Sequence, residues 1–220
     1  MRLWCSMSIA NRKERDKEEL RRKIIAATTE LLREENYATV QMRKIAERIE
    51  YSVGTIYLYF KDKDELFLAV QEEAFRQAFA FIQQIPATND PLERLRFLGE
   101  RYIRFGIENP DLYRLMFVME KPMQALPEDH GWRSGIMLHQ LLTQIVEECI
   151  TAGRVRAEDP HRLSFALWSF VHGMVSLQIA QRLEIYNGDY LDCPLCGSDI
   201  DQLIVDTHNM MMNFLQYRRS

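Results

Sequence analysis

The chain lacks most of what would mark it as secreted, metal-bound or membrane-embedded. Four cysteines in 220 residues are too few for a disulfide scaffold. The one C-x-x-C, Cys193 to Cys196, has no second pair to supply the four ligands that structural zinc takes, so no metal and no cofactor is expected. No apolar run approaches the roughly 18 residues a bilayer span requires, and the start carries no signal-peptide core. The expectation is a cytoplasmic protein without membrane association. Strand-type alternation is missing throughout, and sequence repeats and low-complexity tracts are missing too. Neither sign of charge dominates. The net charge of −4 by itself argues against a polyanionic partner, but residues 1–66 sum to +2 and residues 67–220 to −6, so the basic excess sits at the front.

Apolar residues make up 47% of the chain, enough for a filled core. Residues 1–16 show no apolar period, which predicts a flexible arm carrying Arg12, Lys13 and Arg15. That cluster suits either a backbone-tracking arm or a solvated tail. Met7 is a candidate native start, since Met1 to Ser6 has no pattern. From Lys17, the residues Leu20, Ile24, Ala27 and Leu31 recur at helical spacing, with Ile25 and Leu32 widening the stripe. Thr39 is placed to cap a short second helix that turns Met42, Ile45, Ala46 and Ile49 inward. Ser52 caps a third, ending near Tyr59. A long helix over 63–85 follows, capped by Asp62 or Asp64, and prolines punctuate further helices up to about 184. A last helix spans about 199–217. The fold class is all-α, with about nine helices.

The second and third helices, joined by a short turn, match a helix-turn-helix, whose second helix enters the major groove. Two stretches, A-T-V-Q-M-R-K-I-A-E-R-I and S-V-G-T-I-Y-L-Y-F-K-D-K-D-E-L-F, resemble the DNA-binding domain of the TetR family of bacterial transcriptional regulators. The resemblance covers about a quarter of the chain. It implies a helix-turn-helix domain over 17–64 and a helical ligand-binding and dimerisation domain over 65–220. Carried over by position, it implies that Val53, Gly54, Thr55 and Tyr57 face the groove from a helix begun by Ser52. Tyr57, Tyr59, Lys61 or Lys63 would grip phosphates, together with Thr39 and Gln41, and Arg43 would reach a base. The chain departs from the family where Glu50 replaces the usual turn glycine. Val53 stands where Lys, Arg or Pro is common and would suit a thymine methyl.

In the rear, Trp168, His172 and Gly173 resemble a tryptophan–histidine–glycine signature of one TetR subgroup; a glycine inside a helix suggests close helix approach. Tyr102, Phe105, Tyr113, Met116, Phe117, Met119, Met137, Trp168 and His172 either line an apolar effector cavity or simply form core. The segment 160–184 shows two apolar faces and 199–217 is broad and Met-rich, so both are expected to build a homodimer. The function implied is a ligand-responsive, operator-binding regulator, a repressor relieved by a small apolar effector. Its alternatives are a helical sensor or adaptor that does not bind DNA, and an all-α enzyme. For the enzyme, no nucleophile–base pairing or phosphate-cradling loop is visible.

Overall fold

The computed structural model describes residues 9–35, 37–118, 133–186, 195 and 197–216. Among these the chain is all-α, with nine α-helices: α1 (Ile9–Glu34), α2 (Met42–Arg48), α3 (Val53–Tyr57), α4 (Lys63–Ile82), α5 (Pro91–Glu108), α6 (Pro110–Phe117), α7 (Arg133–Thr151), α8 (Pro160–Ile179) and α9 (Ile200–Leu215). A 3-10 turn, Arg182–Tyr186, follows α8. An isolated bridge between Val155 and Gln216 is the extended pairing among the described residues.

Two boundaries differ most from the sequence reading. α1 begins at Ile9, so Arg12, Lys13 and Arg15 lie on a helix rather than on an irregular arm. Arg, Lys and Glu are good helix formers, and Glu18–Arg22 and Glu19–Lys23 pair at i,i+4, so the helix runs past its buried stripe into solvent. α8 ends at Ile179, short of 184, because Gln181 adopts a left-handed φ of 56° and the chain tightens into the 3-10 turn.

The residues form two compact units, one of Met1–Ala74 with Arg114–Asp129, the other of Phe75–Tyr113 with His130–Ser220. The first unit therefore extends past the expected end at residue 64. Leu66, Phe67 and Val70 of α4 are buried in the same core as Ile24 and Leu31 of α1, Ile45 and Ala46 of α2, and Ile56 and Phe60 around α3. α4 starts with Asp62 as its cap, accepting the Glu65 N–H at 2.9 Å, while the Glu65 carboxylate reaches back to the Lys61 amide. The two bonds satisfy otherwise orphaned donors in the manner of a capping box.

In the second unit α5 packs against α7, α8 and α9. The sequence assigned close helix approach to Gly173, but a Cβ built there meets nothing within 4 Å. The close contacts fall on α5 instead. A Cβ on Gly106 would lie 2.4 Å from Val175, and one on Gly99 would lie 2.2 Å from His208 Nε2, so neither position admits a side chain without displacing a neighbour. Asp90 caps α5 through the Leu92 N–H and also receives the Arg154 guanidinium, which ties the start of α5 to the end of α7.

Candidate functional site

α3 is five residues long, too short to hold itself in water, so its shape depends on what surrounds it. The preceding turn is a Schellman-type ending of α2. The Tyr51 N–H bonds the Ala46 carbonyl at 2.9 Å and the Glu50 N–H bonds Glu47 at 3.2 Å, with Glu50 at φ 61°. The glutamate thus keeps the left-handed turn usual for glycine, at a cost of about 1 kcal/mol. Ser52 Oγ then accepts the Thr55 N–H at 3.1 Å and lies 2.9 Å from Thr55 Oγ1. The expected cap is present.

Helical spacing splits this short element into two sides. Ile56 and Phe60 are buried, and Val53 and Tyr59 are half-buried against the same core. Gly54 is exposed, as are Tyr57 at 52% and Leu58 at 79%. Val53, read from sequence as a groove contact, is thus turned toward the protein, and the Thr55 hydroxyl pairs with Ser52. Tyr57 faces outward as expected. Leu58, absent from the sequence reading, faces outward more fully than any of them.

The cationic and hydroxyl candidates around α3 differ in their surroundings. Lys61 is exposed. Lys63 is turned onto the protein: its ammonium donates to the Tyr37 carbonyl and lies 4.2 Å from the Tyr37 ring centroid. A cation held over a ring and on a carbonyl is already partnered, so a phosphate contact by Lys63 would have to replace these bonds. The Tyr37 hydroxyl donates to Asp64 at 2.6 Å; burial first, then that carboxylate, push its ionisation well upward. Thr39 does not cap α2. The N-cap is Gln41, extended and without a side-chain capping bond, while the Thr39 hydroxyl donates to Glu35. Hydrogen bonds from Lys44 and Thr39 hold the Glu35 carboxyl below its ordinary range. Arg43 pairs with Glu47 at 2.9 Å on an exposed face, a pair worth a few tenths of a kcal/mol, roughly, and easily exchanged for another anion.

In the second unit, four sequence candidates come together. Trp168 Nε1 donates to Tyr102 Oη at 3.2 Å. Tyr102 Oη lies 3.0 Å from Tyr113 Oη, and Tyr113 Oη lies 2.6 Å from His172 Nδ1. The rings of Tyr113 and His172 stack with centroids 5.4 Å apart. Indole N–H can only donate, so Tyr102 Oη accepts from Trp168, and Tyr102 Oη also lies 3.1 Å from His172 Nδ1, which closes the two hydroxyls and the imidazole into one chain of hydrogen-bonding groups. Burial lowers the His172 pKa and raises Tyr113 to about 12, so the whole chain is neutral near pH 7. Phe105 is buried beside Phe81. The other cavity candidates do not join them. Met137 is exposed on α7, Met116 and Phe117 belong to the first unit, and Met119 lies outside the described residues. A surface groove along α9, lined by Leu195, Leu203, Asp206 and Met210 among others, contains none of the expected residues.

Residues 24–70, which hold the capped α3 and its turn, match the model for bacterial regulatory proteins of the tetR family. Residues 95–192 match the tetracyclin repressor-like C-terminal domain. The chain belongs to the TetR family. Among relatives of this TetR-family regulator is the HTH-type transcriptional regulator HbdR of Aromatoleum sp. (strain CIB), 29% identical over 70% of this chain and 68% of that one. The HTH-type transcriptional repressor KstR of Rhodococcus jostii (strain RHA1) is 34% identical over 44% of this chain and 46% of its own, so the match spans about half of that relative. A solved protein of unknown function from Rhodococcus sp. RHA1 shares the fold with TM-score 0.73 at 19% identity, covering 99% of this chain and 100% of that one. The family, HbdR and KstR are transcriptional regulators rather than enzymes. No helix among the described residues is long and apolar enough to cross a membrane, and no cluster of metal-ligating side chains occurs among them. Cys193 lies outside the described residues, as does Cys196. Cys149 is buried with its thiol pushed up to about 12, which leaves it unreactive.

One further titratable residue of the TetR-family rear domain is buried outside the candidates nominated from sequence. His208 on α9 is 3% exposed; burial, then the nearby Arg96 charge, hold its pKa at about 4. The unfolded value is about 6.5, so the native state binds fewer protons. The stabilisation is present above pH 6.5 and is lost as pH falls toward 4. Urea unfolding at pH 5 should show about 2 kcal/mol less stability than at pH 7 from this residue. His208→Gln should flatten that slope; an unchanged slope would contradict the assignment.

Proposed function

We propose that this regulator is a repressor that grips a duplex operator as a homodimer and releases it when a small apolar effector enters the second unit. The observation carrying the reading is the outward side of α3. Ser52 caps it, Ile56 and Phe60 anchor it from behind, and Gly54 and Tyr57 are left bare in front. Gly54 would let the backbone approach base edges, and Tyr57 would hydrogen-bond a phosphate with its phenol. Lys61, Gln41 and Arg43 are exposed candidates for the flanking backbone. Residues 17–64 carry the reading function and 65–220 the effector and dimer functions. The working place is the cytoplasm, where operator and effector meet.

The effector would lie near the Trp168–Tyr102–Tyr113–His172 chain, whose neutral donors suit a polar end on an otherwise apolar molecule such as a drug, lipid or fatty acyl group. For the dimer, α8 presents Phe165, Ala166, Ser169 and Leu177 to solvent. Gly173 lies among them with open space above it. A helix side that is small in the middle and apolar at its edges accepts a second helix closely. On α9, Met210 and Phe214 are exposed one turn apart.

Tyr57→Ala should weaken binding to a duplex selected by the protein from a random pool by about 10-fold, the worth of one charge-assisted contact, with dimer mass unchanged. Affinity within 2-fold of the parent, measured by fluorescence anisotropy, would remove Tyr57 from the interface.

A further inference from the structure

We infer that Leu58 is a specificity-determining residue, which reads a thymine methyl group in the major groove. The inference rests on α3 being the reading helix. Leu58 follows the last residue of α3 and keeps αR dihedrals, φ −74° and ψ −17°, so the helical turn carries its side chain onward in register. Gly54, Tyr57 and Leu58 stand at i, i+3 and i+4 and share one side. That side is opposite Ile56 and Phe60, which are buried. Leu58 is 79% exposed, ahead of every other large apolar side chain among the described residues, and Tyr57 beside it is 52% exposed.

The position matters more than the exposure. A single bare leucine on a surface is ordinary. This one occupies the front of the helix that faces a polyanion, where a lysine or arginine would add affinity for any sequence. A leucine there forfeits that attraction. The apolar group that the major groove offers is the C5-methyl of thymine, which cytosine lacks. Val53, the apolar residue of α3 that sequence alone nominated for this contact, packs half-buried against the core of its own unit. Thr55 is half-buried as a residue and its hydroxyl is engaged by Ser52. Leu58 is therefore the side chain of this segment with aliphatic surface free to meet a methyl. Gly54, without a side chain one turn earlier, would let this side of the helix settle deep enough for Leu58 to reach a base edge instead of the sugar.

The test uses the full chain and duplexes enriched by it from a randomised pool. Each thymine of the enriched core is replaced singly by deoxyuridine, which removes only the methyl. With the parent protein one position per half-site should weaken binding about 4-fold, the worth of one buried methyl. With Leu58→Ala the same replacement should change binding less than 1.5-fold, and affinity for random duplex should stay as in the parent. Three results would overturn the assignment: equal deoxyuridine cost in the parent and Leu58→Ala proteins, no sensitive thymine at all, or equal loss on selected and random DNA. Failure of the underlying reading looks different. In that case Tyr57→Ala and Leu58→Ala would both enrich the parental sequence with parental affinity.

Discussion

Phe60→Ala should cost about 3–5 kcal/mol and abolish operator binding, although Phe60 touches no DNA. The ring is 1% exposed, packs in the core shared by α1, α2 and α4, and receives the Arg21 guanidinium at 5.2 Å. A five-residue helix has almost no stability of its own, so Ile56 and Phe60 hold α3 in place from behind. Their loss should unfold the first unit at a temperature where the helices of the second persist, which splits one thermal transition into two. The control lies two residues away. Leu58→Ala, on the opposite side, should leave the melting temperature nearly unchanged, because surface truncation away from special features costs little. If Phe60→Ala melts with the parent, the packing account of α3 is wrong.

Phe214→Glu should convert the proposed homodimer to a monomer and weaken operator binding by about 10²- to 10⁴-fold. Phe214 is 78% exposed on α9, and a large bare aromatic at that level calls for cover. Glutamate in a two-fold apolar interface would be desolvated twice, once from each copy, with no partner charge. The monomer would keep its reading head, so affinity for random duplex per head should hold, while the linked gain from two heads on one operator disappears. Analytical ultracentrifugation reads the mass and anisotropy reads the affinity. A variant that stays dimeric would move the interface away from α9. Phe165→Glu, on the exposed side of α8, would then be the discriminating change.

Much of the reading head was legible because its signals are local. The Ser52 cap and the inward Ile45 and Ala46 follow from spacing and side-chain chemistry within a few residues, and the outward Tyr57 from the family resemblance. The differences fall where a distant partner decides. Lys63 reads as a free cation, yet Tyr37 lies 26 positions away in sequence and takes its ammonium. The family resemblance turns Val53 outward, yet it packs half-buried against the core built with α1 and α4. Leu58 carries no local signal that singles it out, and the fold leaves it standing in solvent. In the second unit the sequence nominated Trp168, Tyr102, Tyr113 and His172 without showing that one proton chain joins them. It also grouped Met116 and Met137 with them, because aromatic and methionine stripes do not reveal which helix face they occupy.

Periodicity and caps indicated from the chain alone an all-α protein carrying a helix-turn-helix, since those properties arise from contacts between residues close in sequence, and the G-T-I-Y-L-Y-F run carried the resemblance to the TetR family. Which side chains remain bare on the reading helix, which cations are already partnered, and which glycines admit a neighbouring helix were decided by tertiary packing. Each depends on side chains brought together from far along the chain, and burial is a property of that assembly rather than of any single segment.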